Sequence, residues 1–323
     1  RRNMSPTDVL IGINVSWLRS RWFGRLQLVI GVAIIVAIAL SIVKDWNRAQ
    51  ASGVHFVIRP GWIALSMLLV WTMWLGLIEG WRRFAVGWGA PLRWPLAGRI
   101  WMLSSFGKYI PGKVWAMAGM VAISERSGIS GRVTLAAAIV MQVLAVGTGI
   151  AVAAVTIGPM IRTWSPGAGS AMMLLGLVVA GSLFAVGNRT VLSTICRVTR
   201  REGPPPEPPA LALLAAAVVI NVITWLAYGL ALILLAKGIL PEVALGWREA
   251  TGAFAFAYIV GYLGPTPGGI GARDLALAWF LEHWIGVGPA LALAAASRIA
   301  FTFNELGAAA PFFFTRESSR DHT

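Results

Sequence analysis

The chain has 323 residues, of which 57% are hydrophobic and only 12% are charged, and its formal net charge is +14 at pH 7. A composition this apolar excludes a sizeable soluble domain and predicts an all-α protein that crosses a membrane several times. The positive charge would favour nucleic acid in a soluble protein. Here most arginines stand in short loops beside apolar runs, which is typical of membrane topology and of contact with anionic lipids. We therefore expect no nucleic-acid partner.

The cysteine and histidine content excludes two further kinds of site. Cys196 is the only cysteine, so it forms no intrachain disulfide. The three histidines, His55, His283 and His322, are scattered along the chain. We therefore expect neither a metal site nor a cofactor.

The N-terminal residues and the apolar runs define the expected membrane segments. Residues 9–25 mix apolar residues with Arg, which suits a helix on the cytoplasmic membrane surface; a frayed basic tail that only sets orientation is the alternative. The run at 26–43 resembles a signal peptide, but no small-residue cleavage site follows it, so we expect a retained span. Full spans are predicted for six apolar runs, at 26–43, 61–80, 132–157, 170–187, 210–236 and 289–314.

Two further apolar segments, at 97–125 and 250–285, are interrupted by Pro111-Gly112 and by Pro267-Gly268. Proline lacks an N–H and glycine favours other conformations, so a helix does not run smoothly through either pair. Lipid does not tolerate exposed backbone, and such breaks must be buried in protein or line a wet cavity. A matching pair of broken segments in the two halves of a chain points to the binding site of a transporter.

The distribution of arginine predicts the side of each loop, because basic loops face the cytoplasm. The loops at 81–100, 125–132 and 188–209 are basic and are assigned to the inside; the loop at 158–169 is assigned to the outside. The segment 97–125 then enters and leaves from the cytoplasm, and 250–285 enters and leaves from the outside. Both are therefore predicted to be re-entrant hairpins. Eight ordinary spans with two proline kinks are the alternative.

The same order of segments in both halves predicts an inverted-topology repeat. We expect a cytoplasmic or interfacial segment at 1–25, a first membrane repeat at 26–165, a second at 166–315 and a cytoplasmic tail at 316–323. A Pro-rich run at 200–209 is expected to be a stiff cytoplasmic linker within the second repeat. The protein is thus expected in the plasma (inner) membrane with both termini in the cytoplasm.

Polar and charged side chains in the apolar segments are candidate functional residues, because charge at membrane depth is expensive. They flank the first break, follow the second or lie in the last apolar run: Lys108, Lys113, Arg273, Asp274, Arg298, Asn304 and Glu305. Asp274 could pair with Arg298 or Arg273, and Glu305 could pair with Lys108 or Lys113. Glu79 differs, because Arg82 and Arg83 lie one turn away and favour an ion-pair set within one helix.

These residue types suit a phosphate site at the two breaks. Arginine grips phosphate with a planar fork, lysine adds a point charge, and Gly-rich bends and helix N-termini present backbone N–H groups. The alternative is an internal set of salt bridges that holds the two hairpins together. The candidate substrate-binding residues are Lys108, Tyr109, Pro111, Gly112, Lys113, Pro267, Gly268, Gly269, Gly271, Arg273, Asp274, Arg298, Asn304 and Glu305.

Two strings and one later arginine carry a family resemblance. Gly107 to Gly112 reads Gly-Lys-Tyr-x-Pro-Gly, Pro267 to Asp274 reads Pro-Gly-Gly-x-Gly-x-Arg-acid, and Arg298 follows inside the last apolar run. Together they resemble the lysylphosphatidylglycerol synthase transmembrane family, also called the flippase-like domain family, over nearly the whole chain. In that family the acid after the arginine is usually Glu, whereas this chain has the shorter Asp274.

The resemblance implies that the protein handles lipids. Bifunctional members flip aminoacylated phosphatidylglycerol across the bilayer, while a separate cytoplasmic domain makes that lipid. This chain is expected to be a stand-alone member without the synthase domain. Other relatives are tied to lipid-linked sugar carriers, so the candidate lipids are phospholipids, aminoacylated phosphatidylglycerol and polyprenyl phosphates.

We therefore expect a lipid flippase that passes an anionic headgroup through a polar cavity between the hairpins. No nucleotide-binding motif is visible, so transport would run downhill or couple to an ion gradient, with Glu305, Asp274 or Glu79 as the proton carrier. One alternative is a non-transporting membrane partner of a separate lipid or glycosyl transferase. The other is a membrane-embedded enzyme acting on a lipid phosphate. No paired carboxylates or Ser–His arrangement is evident, so we expect no enzyme.

Overall fold

The computed structural model describes residues 55–110, 114–182, 209–264 and 266–314, together with the single positions 36, 40, 43 and 47. Within these residues the protein is all-helical and contains no strand, as the sequence predicted. The segment at 1–25, most of the predicted span at 26–43, nearly all of the linker at 200–209 and the tail at 316–323 lie outside the described residues.

Nine α-helices and two short 3-10 helices form the described part of the chain. The first five α-helices are α1 (Pro60–Gly87), α2 (Trp94–Ser105), α3 (Trp115–Arg126), α4 (Gly131–Trp164) and α5 (Pro166–Ser182). They are followed by α6 (Leu211–Ile239), α7 (Trp247–Leu263), α8 (Ala272–Ile285) and α9 (Val287–Phe314). The 3-10 helices, Phe106–Tyr109 and Pro267–Gly269, lie where the sequence predicted the breaks. We call residues 106–114 the first bend and residues 264–271 the second bend.

Three described helices are long and apolar enough to cross a membrane: α1, α4 as far as Thr163, and α6. Large apolar side chains on them, such as Leu68, Val155 and Leu230, are exposed on the protein surface, which suits a lipid surrounding. Helix α9 has 28 residues but is not one of the three. The protein is thus a helical membrane protein, whereas the total of six full spans stays a prediction.

The two α-helices that flank each bend lie side by side. At the first bend, an ideal Cβ on Gly119 would lie 3.7 Å from both the Cα and the Cβ of Ser104. At the second bend, a Cβ on Gly261 would lie 2.7 Å from the Cβ of Arg273. Helices α2 and α3 have 12 residues each. Each is about 18 Å long, which is shorter than the hydrocarbon core of a bilayer.

The order of elements and their contacts repeat along the chain. Helices α1 and α2, the first bend, α3 and α4 have counterparts in α6 and α7, the second bend, α8 and α9. Helix α4 packs against α7, and its counterpart α9 packs against α2; α4 also contacts α6, as α9 contacts α1. Counterparts contact each other as well, α1 with α6 and the first bend with the second. The described chain thus contains two parts, α1–α4 and α6–α9, that share one order of elements around the bends and one pattern of contacts.

Two apolar cores hold the helices around the bends, and each core includes side chains from both parts. One core contains Trp81, Phe84 and Leu144, and the other contains Phe254 and Phe280 among its buried side chains. Small residues bring neighbouring helices into backbone contact. The position of each bend is therefore set by packing on both of its sides.

Candidate functional site

The second bend contains two adjacent glycines with positive φ angles, Gly268 at 59° and Gly269 at 67°. Pro267 stands in the first turn of its 3-10 helix, where a missing N–H costs little. A Cβ on Gly268 would be strained and would also lie 2.7 Å from the ring of Tyr109. The glycines leave two backbone carbonyl groups outside a regular helix, and these groups need donors.

Arg298 of α9 supplies those donors and holds the second bend. Its Nη1 donates to the carbonyl oxygen of Gly268 and its Nη2 to that of Gly269, each at 3.1 Å. Its Nε lies 3.1 Å from both carboxylate oxygens of Asp274, and its Nη2 donates to Asp274 Oδ2 at 2.8 Å. Asp274 Oδ2 also accepts from the backbone N–H of Gly271 at 3.2 Å. With side chains only 7% and 8% exposed, Arg298 and Asp274 form a buried clamp joining α8, α9 and the bend.

Arg273 precedes the clamp but belongs to a different environment. Its guanidinium lies between two aromatic rings, 5.0 Å from the centroid of Phe254 and 4.6 Å from that of Phe301. Its Nη2 donates to Ser297 Oγ at 3.2 Å, while its buried Nε has no hydrogen-bond partner among the described residues. No carboxylate in the described part of the chain forms an ion pair with it. Arg273 is thus a buried cation held by ring faces and a hydroxyl.

Glu305 of α9 joins the first bend to the second part of the protein. Its Oε1 forms an ion pair with Lys108 Nζ, and its Oε2 accepts from the Tyr109 hydroxyl at 2.7 Å. The Lys108 side chain is 39% exposed and the Glu305 side chain only 9%. Tyr109 also packs its ring over Gly268. The first and second bends therefore meet at Tyr109, beside this ion pair.

Asn304 adds polar atoms that have no partner. It is fully buried, and neither Nδ2 nor Oδ1 of its side chain has a hydrogen-bond partner among the described residues. Its backbone oxygen accepts from Trp71 Nε1 at 3.1 Å. About two turns of α9 separate it from Ser297, so it shares a helix face with Ser297 and Phe301. Unpaired buried polar groups are uncommon in native proteins, and a bound water or ion is one source of the missing partner.

The structure brings most of the predicted residues to one place, where the two bends meet α8 and α9. These are Lys108, Tyr109, Pro267, Gly268, Gly269, Gly271, Arg273, Asp274, Arg298, Asn304 and Glu305. The remaining three, Pro111, Gly112 and Lys113, lie outside the described residues. The binding role of the whole set stays a prediction.

The structure also decides between the pairings that the sequence left open. Asp274 pairs with Arg298, and Glu305 pairs with Lys108. Glu79 accepts hydrogen bonds from the Nε atoms of Arg82 and Arg83, each at 2.7 Å, which confirms the predicted set within α1.

Sequence reasoning missed the side chains that surround Arg273. Ser297 and Phe301 lie one turn apart on α9, next to Arg298, and the helical periodicity of this run could have indicated them. Phe254 lies on α7, and no local pattern connects it to Arg273. Hydropathy treats both phenylalanines as ordinary core residues, although their ring faces here replace a carboxylate.

The chain matches a known protein family over most of its length. None of the curated proteins matches this chain. The family described as lysylphosphatidylglycerol synthase TM region matches residues 27–302, which include both bends and Arg298. This match confirms the resemblance seen in the two Pro-Gly strings. The chain belongs to the lysylphosphatidylglycerol synthase TM region family, a membrane domain associated with lipid-related functions.

Proposed function

We propose that this protein is a flippase that moves an anionic lipid across the plasma (inner) membrane. The observation that carries the proposal is Arg273, a buried guanidinium without a carboxylate partner among the described residues. Among the described residues, the site has three cationic side chains, Lys108, Arg273 and Arg298, and two anionic ones, Asp274 and Glu305. One positive charge is left over, which is the charge that one phosphate group of a lipid would neutralise.

The cost of burying charge supports this role for Arg273. A buried charge without a counter-ion destabilises a protein by several kcal/mol, or about 3–5 kcal/mol when its partner has been removed. The two phenylalanine rings recover part of this energy. Its free Nε–H and the free amide of Asn304 would donate to phosphate oxygens at the same site. We infer that the headgroup binds here while the lipid tails stay in the bilayer.

The arrangement of the bends supports the movement of a lipid between the two sides of the membrane. The exchanged contacts of the two parts fit an inverted repeat, and helices too short to span fit re-entrant hairpins. The arginine-rich loops would face the cytoplasm, together with both termini. In this proposal the lipid is moved without chemical change, and a separate lipid-modifying or glycosyl transferase would supply or use it.

Reconstituted liposomes test the proposal. The purified protein should move fluorescent phosphatidylglycerol between leaflets. It should not accelerate the movement of a diacylglycerol probe, which has no phosphate. Arg273→Ala should slow the anionic lipid about 10- to 100-fold, which corresponds to one lost charged hydrogen bond of about 1.5–3 kcal/mol. Arg273→Lys should restore only part of the rate, because an ammonium lacks the planar fork.

A matched control is Glu242→Gln, which removes an exposed carboxylate from the turn between α6 and α7, outside the site, and should leave the rate unchanged. Full transport by a stable Arg273→Ala protein would remove the phosphate site from the proposal. No transport by the wild-type protein, together with copurification of a transferase, would favour the non-transporting partner instead. Chemical conversion of the lipid would identify an enzyme.

A further inference from the structure

The Lys108–Glu305 ion pair is the contact of the site that a ligand can reach. Lys108 lies in the first bend, and its side chain is 39% exposed, whereas Glu305 behind it is 9% exposed. The buried Arg298–Asp274 pair differs, because Arg298 is also bound to two backbone carbonyl groups of the second bend. An anionic group that approaches the site therefore meets the Lys108 ammonium before it meets the buried guanidinium groups of Arg273 and Arg298.

The donors that hold Glu305 are those that a lipid phosphate would use. Lys108 donates to Oε1 and Tyr109 donates to Oε2, so one ammonium and one phenol bind the two oxygens of a carboxylate. A phosphodiester also presents two unesterified oxygens and one negative charge. The carboxylate of Glu305 thus has the charge and the acceptor pair of the headgroup that the proposed function requires.

We propose that Glu305 is an internal substitute for the lipid phosphate, and that an arriving headgroup displaces it from Lys108 and Tyr109. This inference rests on the proposed function, because it assumes an anionic lipid at the same site. Displacement separates α9 from the first bend and frees the Tyr109 ring, which also packs on Gly268 of the second bend. Binding of the headgroup would then release the contact between the two parts of the protein.

Charge balance favours displacement over joint binding. In the empty site Lys108 and Glu305 neutralise each other. A phosphate that joined the Glu305 carboxylate at Lys108 would place two negative charges beside one ammonium, which is unfavourable in a low-dielectric surrounding. The headgroup and the Glu305 carboxylate therefore compete for Lys108.

Several charged and polar groups surround Glu305. The first bend contributes Lys108 and Tyr109, and α9 itself contributes Arg298. Helices α6, α7 and α8 place Tyr228, Tyr258 and Arg273 within electrostatic range of Glu305. Glu305 is the carboxylate of the site that bonds directly to an exposed cation.

The first test measures the binding of short-chain phosphatidylglycerol to the purified full chain in neutral detergent, by titration calorimetry at neutral pH. Glu305→Gln should bind several-fold more tightly than the wild type, because its neutral amide no longer competes for Lys108. Glu242→Gln is the matched control and should bind as the wild type does, since Glu242 is exposed in the turn between α6 and α7.

A second variant keeps the proposal falsifiable if Glu305→Gln unfolds. Lys108→Gln removes the group for which carboxylate and phosphate compete, so it should weaken binding. The proposal is overturned if folded Glu305→Gln binds no more tightly than the wild type, or if Lys108→Gln binds as tightly as the wild type. A diacylglycerol with the same chains should gain no affinity from Glu305→Gln, because it has no phosphate.

Binding and transport separate the two proposals. Liposomes that move phosphatidylglycerol while Glu305→Gln leaves its binding unchanged would overturn the role of Glu305 and keep the flippase. A protein that binds phosphatidylglycerol with the expected dependence on Glu305, but does not move it, would overturn the flippase and keep the competition for Lys108.

Discussion

Arg298 and Asp274 form a buried ion pair, so loss of one partner leaves the other charge unpaired. Arg298→Ala should lower the free energy of unfolding by about 3–5 kcal/mol. The double change Arg298→Ala with Asp274→Ala should recover part of that loss, because no charge stays buried. Thermal unfolding in detergent measures both variants.

Glu305 provides the control for this experiment. It shares a helix face with Arg298 but pairs with Lys108, so Arg298→Ala with Glu305→Ala should be no more stable than Arg298→Ala alone. Greater recovery with Glu305 than with Asp274 would contradict the observed pairing.

Charged residues in apolar segments were the most predictable part of the site. Because burial forces a charge to find a partner, the sequence predicted that Asp274 and Glu305 are paired. It could not choose between Arg273 and Arg298 as the partner of Asp274, since both are arginines and differ only in the direction of their side chains. Of the two, Arg298 is the one that also reaches the carbonyl groups of the second bend. The binding role of Arg273 remains a prediction.

At the scale of helices, the side-by-side position of α2 and α3 can be tested by a disulfide. An ideal Cβ on Gly119 would lie 3.7 Å from the Cβ of Ser104, and a disulfide needs a separation of about 3.5–4.5 Å. Ser104→Cys with Gly119→Cys should therefore close upon oxidation in a background where Cys196 is replaced by Ala. Mass spectrometry of the linked peptides measures the product.

Ser105→Cys with Gly119→Cys is the matched control, because the next residue on α2 points about 100° away around the helix. It should react slowly. Equal yields from the two pairs, or no disulfide from either, would favour a kinked helix that runs straight through the first bend.

Helix positions followed from apolar runs, but helix ends did not. The second of the six apolar runs was predicted to end at 80, yet α1 continues to Gly87. Hydropathy stops at Arg82 and Arg83, whereas the helix continues because both arginines pair with Glu79 and because Trp81 and Phe84 are buried in the core. Local sequence reports the apolar stretch, and packing decides where the helix ends.

At the scale of the whole molecule, the inverted topology predicts opposite sides for the ends of the two bent segments. Ser127 follows α3, and Glu282 lies in the last turn of α8. With Cys196 replaced, Ser127→Cys should react with a membrane-impermeant thiol reagent from the cytoplasm, and Glu282→Cys should react from the outside. Inside-out and right-side-out vesicles measure the difference, and labelling of both cysteines from one face would remove the inverted repeat.

The contacts of the two parts repeat, but their charges do not. The Pro-Gly pairs and the starts of α4 and α9 are offset equally along the chain (267 minus 111, and 287 minus 131). The same offset sets Arg298 against Gln142 and Glu305 against Gly149. A conformation in which the parts exchanged their positions would therefore place the ionic groups among different neighbours. The two conformations would differ in free energy, so the empty protein would rest facing one leaflet and favour lipid arriving from that side.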